Sequence, residues 1–144
     1  MSRYIGIDLG TTNSAVAIVD SGIPYVVADT DGDRLTPSVV HYPADDGDSW
    51  VGRRALNVAA TSPLTTVGSV KRLIGRRHAD LEDGETPYAV VAGDGGMACV
   101  EIRGRSITPE AVSAEVLKRL LAIAERELDG AVDGAVITVP AYFS

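Results

Sequence analysis

The chain has 144 residues, enough for one domain, and its net charge of −7 disfavours binding to nucleic-acid backbones, which requires clustered Lys and Arg. One cysteine excludes an internal disulfide and a cysteine-cluster metal site, and the two histidines lack the spacing of zinc ligands. No segment has the apolar length of a membrane span or a signal peptide, so we expect a cytoplasmic protein without a membrane partner.

The N-terminal part of the chain has the pattern of a β-meander. Three short runs rich in Ile and Val, separated by turn residues, predict sequential antiparallel strands over residues 4–8, 15–19 and 24–28. A further strand is predicted over residues 38–42, after Pro37, because proline biases the residue before it towards extended backbone.

The middle of the chain is less regular. Residues 53–60 have helical character and precede Pro63. Short strand-like runs between 84 and 107, broken by GDGG and RGR, predict a small β-meander with GDGG at a hairpin tip. Cys99 falls within this pattern and is interpreted as a small core residue.

The clearest predicted element is a long helix near the C-terminus. Thr108 suits an N-cap, Pro109 the first helical position and Glu110 the first turn. An apolar stripe follows at Val112, Val116, Leu117, Leu120, Leu121, Ala124 and Leu128. The run AVITV over 135–139 then predicts a strand buried on both faces, which a crossover would place parallel to the first strands.

A polar turn follows the first predicted strand, in the segment YIGIDLGTTNSAVAIVD. The strand ends on Asp8, and Gly10, Thr11, Thr12 and Asn13 come next. Backbone amides converging at a glycine-bearing turn can bind an anion, and a carboxylate beside a phosphate requires a cation such as Mg²⁺ between them. The residues alone leave two interpretations open, a Mg-nucleotide phosphate site and a plain hairpin with an acid at its rim.

An acidic segment, DTDGDR, places Asp29, Asp31 and Asp33 at alternating positions. The glycine and the twelfth residue do not match a calcium-binding loop, so a polar turn is the better interpretation.

Several ordered motifs resemble one protein family. GIDLGTTNS is similar to the first phosphate-binding segment of the superfamily that contains actin, hexokinase and the 70-kDa heat-shock proteins. RLTPSVV, SVKRLIGR and VITVPAYFS resemble the heat-shock chaperones of the DnaK type, in the same order and at suitable spacing. The resemblance is weakest over residues 79–105.

The resemblance implies a fold and a domain organisation. The fold would be α/β and ribonuclease-H-like, as in actin-like ATPases, with a strand meander, a crossover helix and a parallel strand in one mixed sheet. Residues 1–35 and 108–144 would form part of subdomain IA, and residues 36–107 an inserted α+β subdomain IB.

The resemblance also implies roles for individual residues. Asp8 would hold Mg²⁺ through water, and Gly10, Thr11, Thr12 and Asn13 would bind the β- and γ-phosphates of ATP or ADP. Lys71 would approach the γ-phosphate and the attacking water, which makes it, with Asp8, a candidate catalytic residue. Pro140 would be the family's proline switch. From the residues alone, Lys71 also fits a solvated basic face, and Pro140 a simple strand terminator.

The implied function is that of the N-terminal part of the ATPase domain of a protein-folding chaperone active in the stress response. The complete protein would hydrolyse ATP and work with unfolded client peptides, a J-domain co-chaperone and a nucleotide-exchange factor. With one lobe of the cleft, these residues alone are expected not to hydrolyse ATP, and exposed apolar surface would favour self-association. The alternatives are an actin-like filament protein or sugar kinase of the same superfamily, and a naturally short, non-enzymatic binding module.

Overall fold

The computed structural model describes residues 3–45 and 47–138 as a mixed α/β structure with three sheets. The predicted switch residue, Pro140, lies outside the described residues. The strands, in chain order, are β1 (Tyr4–Leu9), β2 (Asn13–Asp20), β3 (Ile23–Val26), β4 (Thr36–Pro37), β5 (Val39–His41), β6 (Trp50–Val51), β7 (Thr66–Gly68), β8 (Val90–Ala92), β9 (Ala98–Ile102), β10 (Arg105–Ile107) and β11 (Gly134–Thr138).

The largest sheet is mixed and has the order β11-β1-β2-β3, with β4 also paired to β2. Strands β1, β2 and β3 are antiparallel neighbours, which confirms the predicted N-terminal meander. Strand β11 pairs in parallel with β1, in the register Tyr4↔Gly134 to Asp8↔Thr138, which confirms the predicted crossover. This register brings the ends of β1 and β11 side by side.

Two smaller antiparallel sheets come from the middle of the chain. One has the order β6-β5-β7 and the other the order β10-β9-β8. The second is the predicted meander, and GDGG lies at its first hairpin, where the Gly93 amide donates to the Met97 carbonyl (2.7 Å). A short helix, α1 (Arg53–Leu56), follows β6, and single 3₁₀ turns occur at Pro63–Thr65, Val70–Arg72, His78–Asp80 and Asp94–Gly96.

Helix α2 (Pro109–Leu128) joins the sheets into one core. It starts where predicted, since the Thr108 hydroxyl accepts a hydrogen bond from the Ala111 amide (3.1 Å). It contacts β1 and β2 of the largest sheet, and β5, β6 and β9 of the two smaller sheets. Its buried apolar face includes Val112, Val116, Leu120 and Ala124 from the predicted stripe, together with Ile123, whereas Leu121 is exposed.

Two predicted elements differ from the structure. The helix expected over 53–60 ends at Leu56 and continues as turns, because the Val58 and Ala59 amides donate to the carbonyls three residues before them, Ala55 (3.1 Å) and Leu56 (3.2 Å), as in a tighter 3₁₀ turn. Strand β11 is not buried on both faces, since Val136 is 69% and Ile137 41% exposed. Helix α2 covers β1 and β2, and β11 lies at the edge of the sheet beyond it.

None of the helices in the described part of the chain has both the length and the apolar character needed to cross a membrane.

Candidate functional site

The turn between β1 and β2 is closed tightly at Gly10. A Cβ atom built on Gly10 would overlap the carbonyl oxygen of Asn13 and lie 3.3 Å from its carbonyl carbon, so only glycine fits. Thr11 is half-buried, and Thr12 and Asn13 are exposed. Neither threonine amide donates a hydrogen bond to another described residue. The turn therefore offers backbone donors beside two exposed polar side chains.

The turn is held from outside by Ser38, which follows β4. The Ser38 amide donates to the carbonyl of Thr12 (2.8 Å), and its hydroxyl donates to the carbonyl of Gly10 (2.9 Å). The Ser38 hydroxyl is also 2.8 Å from the hydroxyl of Ser14. Sequence reasoning used RLTPSVV only as a family marker and missed this contact, because nothing local in the sequence indicates which turn Ser38 touches.

Asp8 lies at the exposed end of β1, next to the turn. The hydroxyl of Thr138, its parallel partner on β11, lies between two acceptors, Asp8 Oδ1 (3.2 Å) and the Ile7 carbonyl (3.3 Å), and has one proton to share between them. Sequence reasoning also missed Thr138. Among residues 3–45 and 47–138, the Asp8 carboxylate is contacted by this one hydroxyl, and its exposure leaves it accessible to a metal-bound water.

Lys71 reaches the same end of β1 from a distant part of the chain. It lies in the 3₁₀ turn between β7 and β8, where Val70 and Leu73 are buried in the core and fix the backbone on either side. Its Nζ donates to the carbonyl of Leu9, and the residue is only 5% exposed. The interpretation of Lys71 as part of a solvated basic face is therefore wrong.

The electrostatic environment of Lys71 follows from this position. Burial lowers the pKa of its ammonium group, and the nearby Asp8 carboxylate raises it in part. An added anion at the turn would favour the charged form further.

The structure thus gathers a carboxylate, a tight polar turn and a buried cation at one end of β1. Asp8 and Thr11 are close in sequence, whereas Lys71 is brought to them from the 3₁₀ turn that follows β7. Such a set can bind an anion through the turn and Lys71, and a hydrated divalent cation through Asp8. The donor types fit a magnesium-bound phosphate group.

A cavity of about 500 Å³ adjoins the turn. Its lining includes Thr12 and Asn13 of the turn, together with Arg72, Arg76 and Tyr88. The Tyr88 hydroxyl donates to the Gly68 carbonyl (3.0 Å), and burial raises the pKa of Tyr88 to about 12. The tyrosine therefore acts there as a neutral hydrogen-bonding group.

The acidic segment forms a polar turn, as predicted. Carboxylate oxygens of Asp29, Asp31 and Asp33 lie within 4.8 Å of one another, yet Asp29 Oδ1 accepts the amides of Asp31 and Asp33 (2.9 Å each). Arg53 forms an ion pair with Asp33 (2.5 Å). Cys99 is buried in β9, as its position in the strand pattern predicted.

A family model and two curated relatives match this chain, and they indicate the same protein family. The family model described as Hsp70 protein matches residues 4–144. The chain is 43% identical over 146 aligned positions to two curated relatives named chaperone protein DnaK, which come from two strains of Thermus thermophilus. Each alignment covers 100% of this chain and 23% of the relative, so the chain spans about a quarter of the length of these relatives.

Proposed function

Because this chain belongs to the Hsp70 family, we propose that it forms the N-terminal part of the nucleotide-binding domain of an ATP-dependent protein-folding chaperone. The observation that carries the proposal is the meeting of Lys71 with the end of β1, beside Asp8 and the turn at Gly10. The family match favours this function over an actin-like filament protein or a sugar kinase.

The proposed fold is that of the actin-like ATPases, with residues 1–35 and 108–144 in subdomain IA and residues 36–107 in subdomain IB. What supports it is the mixed sheet of β1, β2, β3 and β11, together with the two smaller sheets contributed by the middle of the chain. Strand β4 at the start of the second segment pairs with β2, so the two proposed subdomains share a hydrogen-bonded boundary.

In the proposed site, the turn from Gly10 to Asn13 binds the β- and γ-phosphates through backbone amides and threonine hydroxyls. Lys71 stabilises negative charge on the γ-phosphate, and Asp8 orients water around Mg²⁺. When bound, Mg²⁺ neutralises phosphate charge that the carboxylate of Asp8 would otherwise repel. The low solvent exposure of Lys71 strengthens its electrostatic effect, because water screens the charge less.

The proposed complete protein couples ATP hydrolysis to binding and release of unfolded client peptides, with a J-domain co-chaperone and a nucleotide-exchange factor as partners. Pro140 is proposed to report the nucleotide state to the peptide-binding domain. The cytoplasmic location and the role in the stress response remain predictions. The 144 residues by themselves are expected to bind nucleotide weakly and to hydrolyse it negligibly, because one lobe cannot enclose it.

The proposal is tested by titrating the ¹⁵N-labelled chain with ADP, with and without Mg²⁺, up to millimolar concentration. We expect Mg-dependent shifts of the amide signals of residues 10–13, at concentrations where the helix α2 signals stay in place. Asp8→Asn keeps the shape of the side chain but removes its charge, so it is expected to abolish the Mg²⁺ dependence. Asp83→Asn is the control, since Asp83 is an exposed acid outside the site.

Shifts spread evenly over the surface, or shifts identical with and without Mg²⁺ in the wild type, would contradict the assignment of the turn. The same titration can be repeated with this chain as part of a two-lobed protein. If the amide signals of residues 10–13 do not shift with nucleotide there either, the result would support the non-enzymatic binding module instead.

A further inference from the structure

The turn that is proposed to bind phosphate is held in shape from outside. Within the turn, Gly10 approaches Asn13 closely, which is a steric limit and not a bond. The carbonyls of Gly10 and Thr12 are instead bonded by Ser38, which lies 28 residues after Gly10 in sequence. Both Ser38 and Ser14 are buried, at 8% and 1% exposure.

The direction of these hydrogen bonds follows from counting protons. A carbonyl oxygen only accepts, and a serine hydroxyl has one proton to donate. Since Ser38 uses its proton on the Gly10 carbonyl (2.9 Å), the 2.8 Å contact between the two hydroxyls requires that Ser14 donates to Ser38. The result is a directed chain from Ser14 to Ser38 to Gly10.

We propose that Ser38 is a positioning residue for the phosphate-binding turn: its hydroxyl and amide fix the carbonyls of Gly10 and Thr12, so that the Thr11 and Thr12 amides are left to bind an anion. This inference rests on the proposed nucleotide function of the same site. With the two carbonyls bonded to Ser38, the Thr11 and Thr12 amides donate to no other group among the described residues and remain available to an anion. Ser38 acts through the turn and needs no contact with nucleotide.

The directed chain predicts unequal effects of removing the two hydroxyls. Ser38→Ala removes the donor to Gly10 and leaves the buried Ser14 hydroxyl without its acceptor. Ser14→Ala removes only the donor to Ser38, and the bond from Ser38 to Gly10 persists. Ser14→Ala is therefore the matched control, with the same change of chemistry in a serine that is also buried.

The experiment measures ¹⁵N order parameters of the amides at residues 10–13 in the wild type, Ser38→Ala, Ser14→Ala and Ser38→Thr, without nucleotide. We expect values typical of ordered backbone in the wild type and Ser14→Ala, about 0.85, and a fall towards about 0.6 in Ser38→Ala. Ser38→Thr keeps the hydroxyl and is expected to restore the order. Thermal unfolding of each variant separates loss of turn order from loss of overall stability, and Ser38→Cys, a weaker donor, replaces Ser38→Ala if that variant does not fold.

A second measurement is the Mg-ADP affinity from the amide shifts. Loss of one net hydrogen bond is expected to weaken the affinity of Ser38→Ala about 2- to 10-fold, with Ser14→Ala close to the wild type. If the wild type binds Mg-ADP and Ser38→Ala has the same turn order and affinity, the positioning role is refuted and the proposed function stands. If no variant binds Mg-ADP but the turn loses order only in Ser38→Ala, the positioning role stands, and the nucleotide function is decided separately by titrating a two-lobed protein that contains this chain.

Discussion

Replacing Gly10 by alanine is expected to destabilise the protein, because the turn leaves no room for a methyl group. The added Cβ would overlap the Asn13 carbonyl oxygen and lie 3.3 Å from the carbonyl carbon. Both atoms belong to the backbone, so no side-chain rotation relieves the overlap. Forcing a methyl group into such a packed position costs about 1–3 kcal/mol of unfolding free energy.

Gly6→Ala provides a matched control in β1, the strand that precedes the turn. A Cβ on Gly6 meets no atom within 4 Å, so the substitution introduces no overlap. Alanine is favoured over glycine by about 0.5–1 kcal/mol within a strand, because alanine has less backbone freedom than glycine in the unfolded chain and so loses less entropy on folding. The two variants should therefore differ in unfolding free energy by about 1.5–4 kcal/mol, with opposite signs relative to the wild type.

The assay is urea unfolding followed by circular dichroism and by the fluorescence of Trp50, the one tryptophan of the chain. For a chain of this length, a loss of about 1–3 kcal/mol lowers Tm by about 2–12 °C, which a thermal scan checks independently. Equal midpoints for Gly10→Ala and Gly6→Ala would show that the turn can open to accept a side chain, and would refute the steric reasoning.

Two further predictions concern the core and the response to pH. His41 is buried and its Nδ1 lies 3.0 Å from the Thr66 hydroxyl; burial, aided by the Arg103 guanidinium, lowers the His41 pKa below 6.5. Below pH 6.5 the unfolded chain therefore binds more protons at His41 than the native state does. The free energy of unfolding is unaffected by His41 above pH 6.5 and decreases as the pH falls below that value. Urea midpoints measured at about pH 7, 6 and 5 should fall less with decreasing pH in His41→Gln than in the wild type. His78→Gln is the control and should behave like the wild type. An equal fall in all three proteins would contradict the role of His41. Leu120→Ala, at a site 1% exposed, should cost about 2–5 kcal/mol, whereas Leu121→Ala, at 38% exposure, should change stability by less than about 0.5 kcal/mol; similar costs would mean that the helix presents a different face to the core.

The elements that the sequence predicted well depend on local chemistry. Strands β1 to β3 follow from short runs of Ile and Val between turn residues, and the start of α2 follows from Thr108 and Pro109. The tight turn at Gly10 was visible as a run of small polar residues after a strand. In each case the residues that decide the structure are neighbours in sequence.

The tertiary structure decided which of these elements meet. The Lys71 ammonium reaches the Leu9 carbonyl across 62 positions, and the Ser38 hydroxyl reaches Gly10 across 28. Strand β11 has the composition of a buried strand, but its exposure depends on what covers it, and in the described residues α2 lies over β1 and β2 instead. The composition and spacing of a segment indicate which side chains it can bury and which hydrogen bonds it can form. Its partner is decided by the packing of the whole chain, because the free energy of a contact depends on both groups being brought together and removed from water.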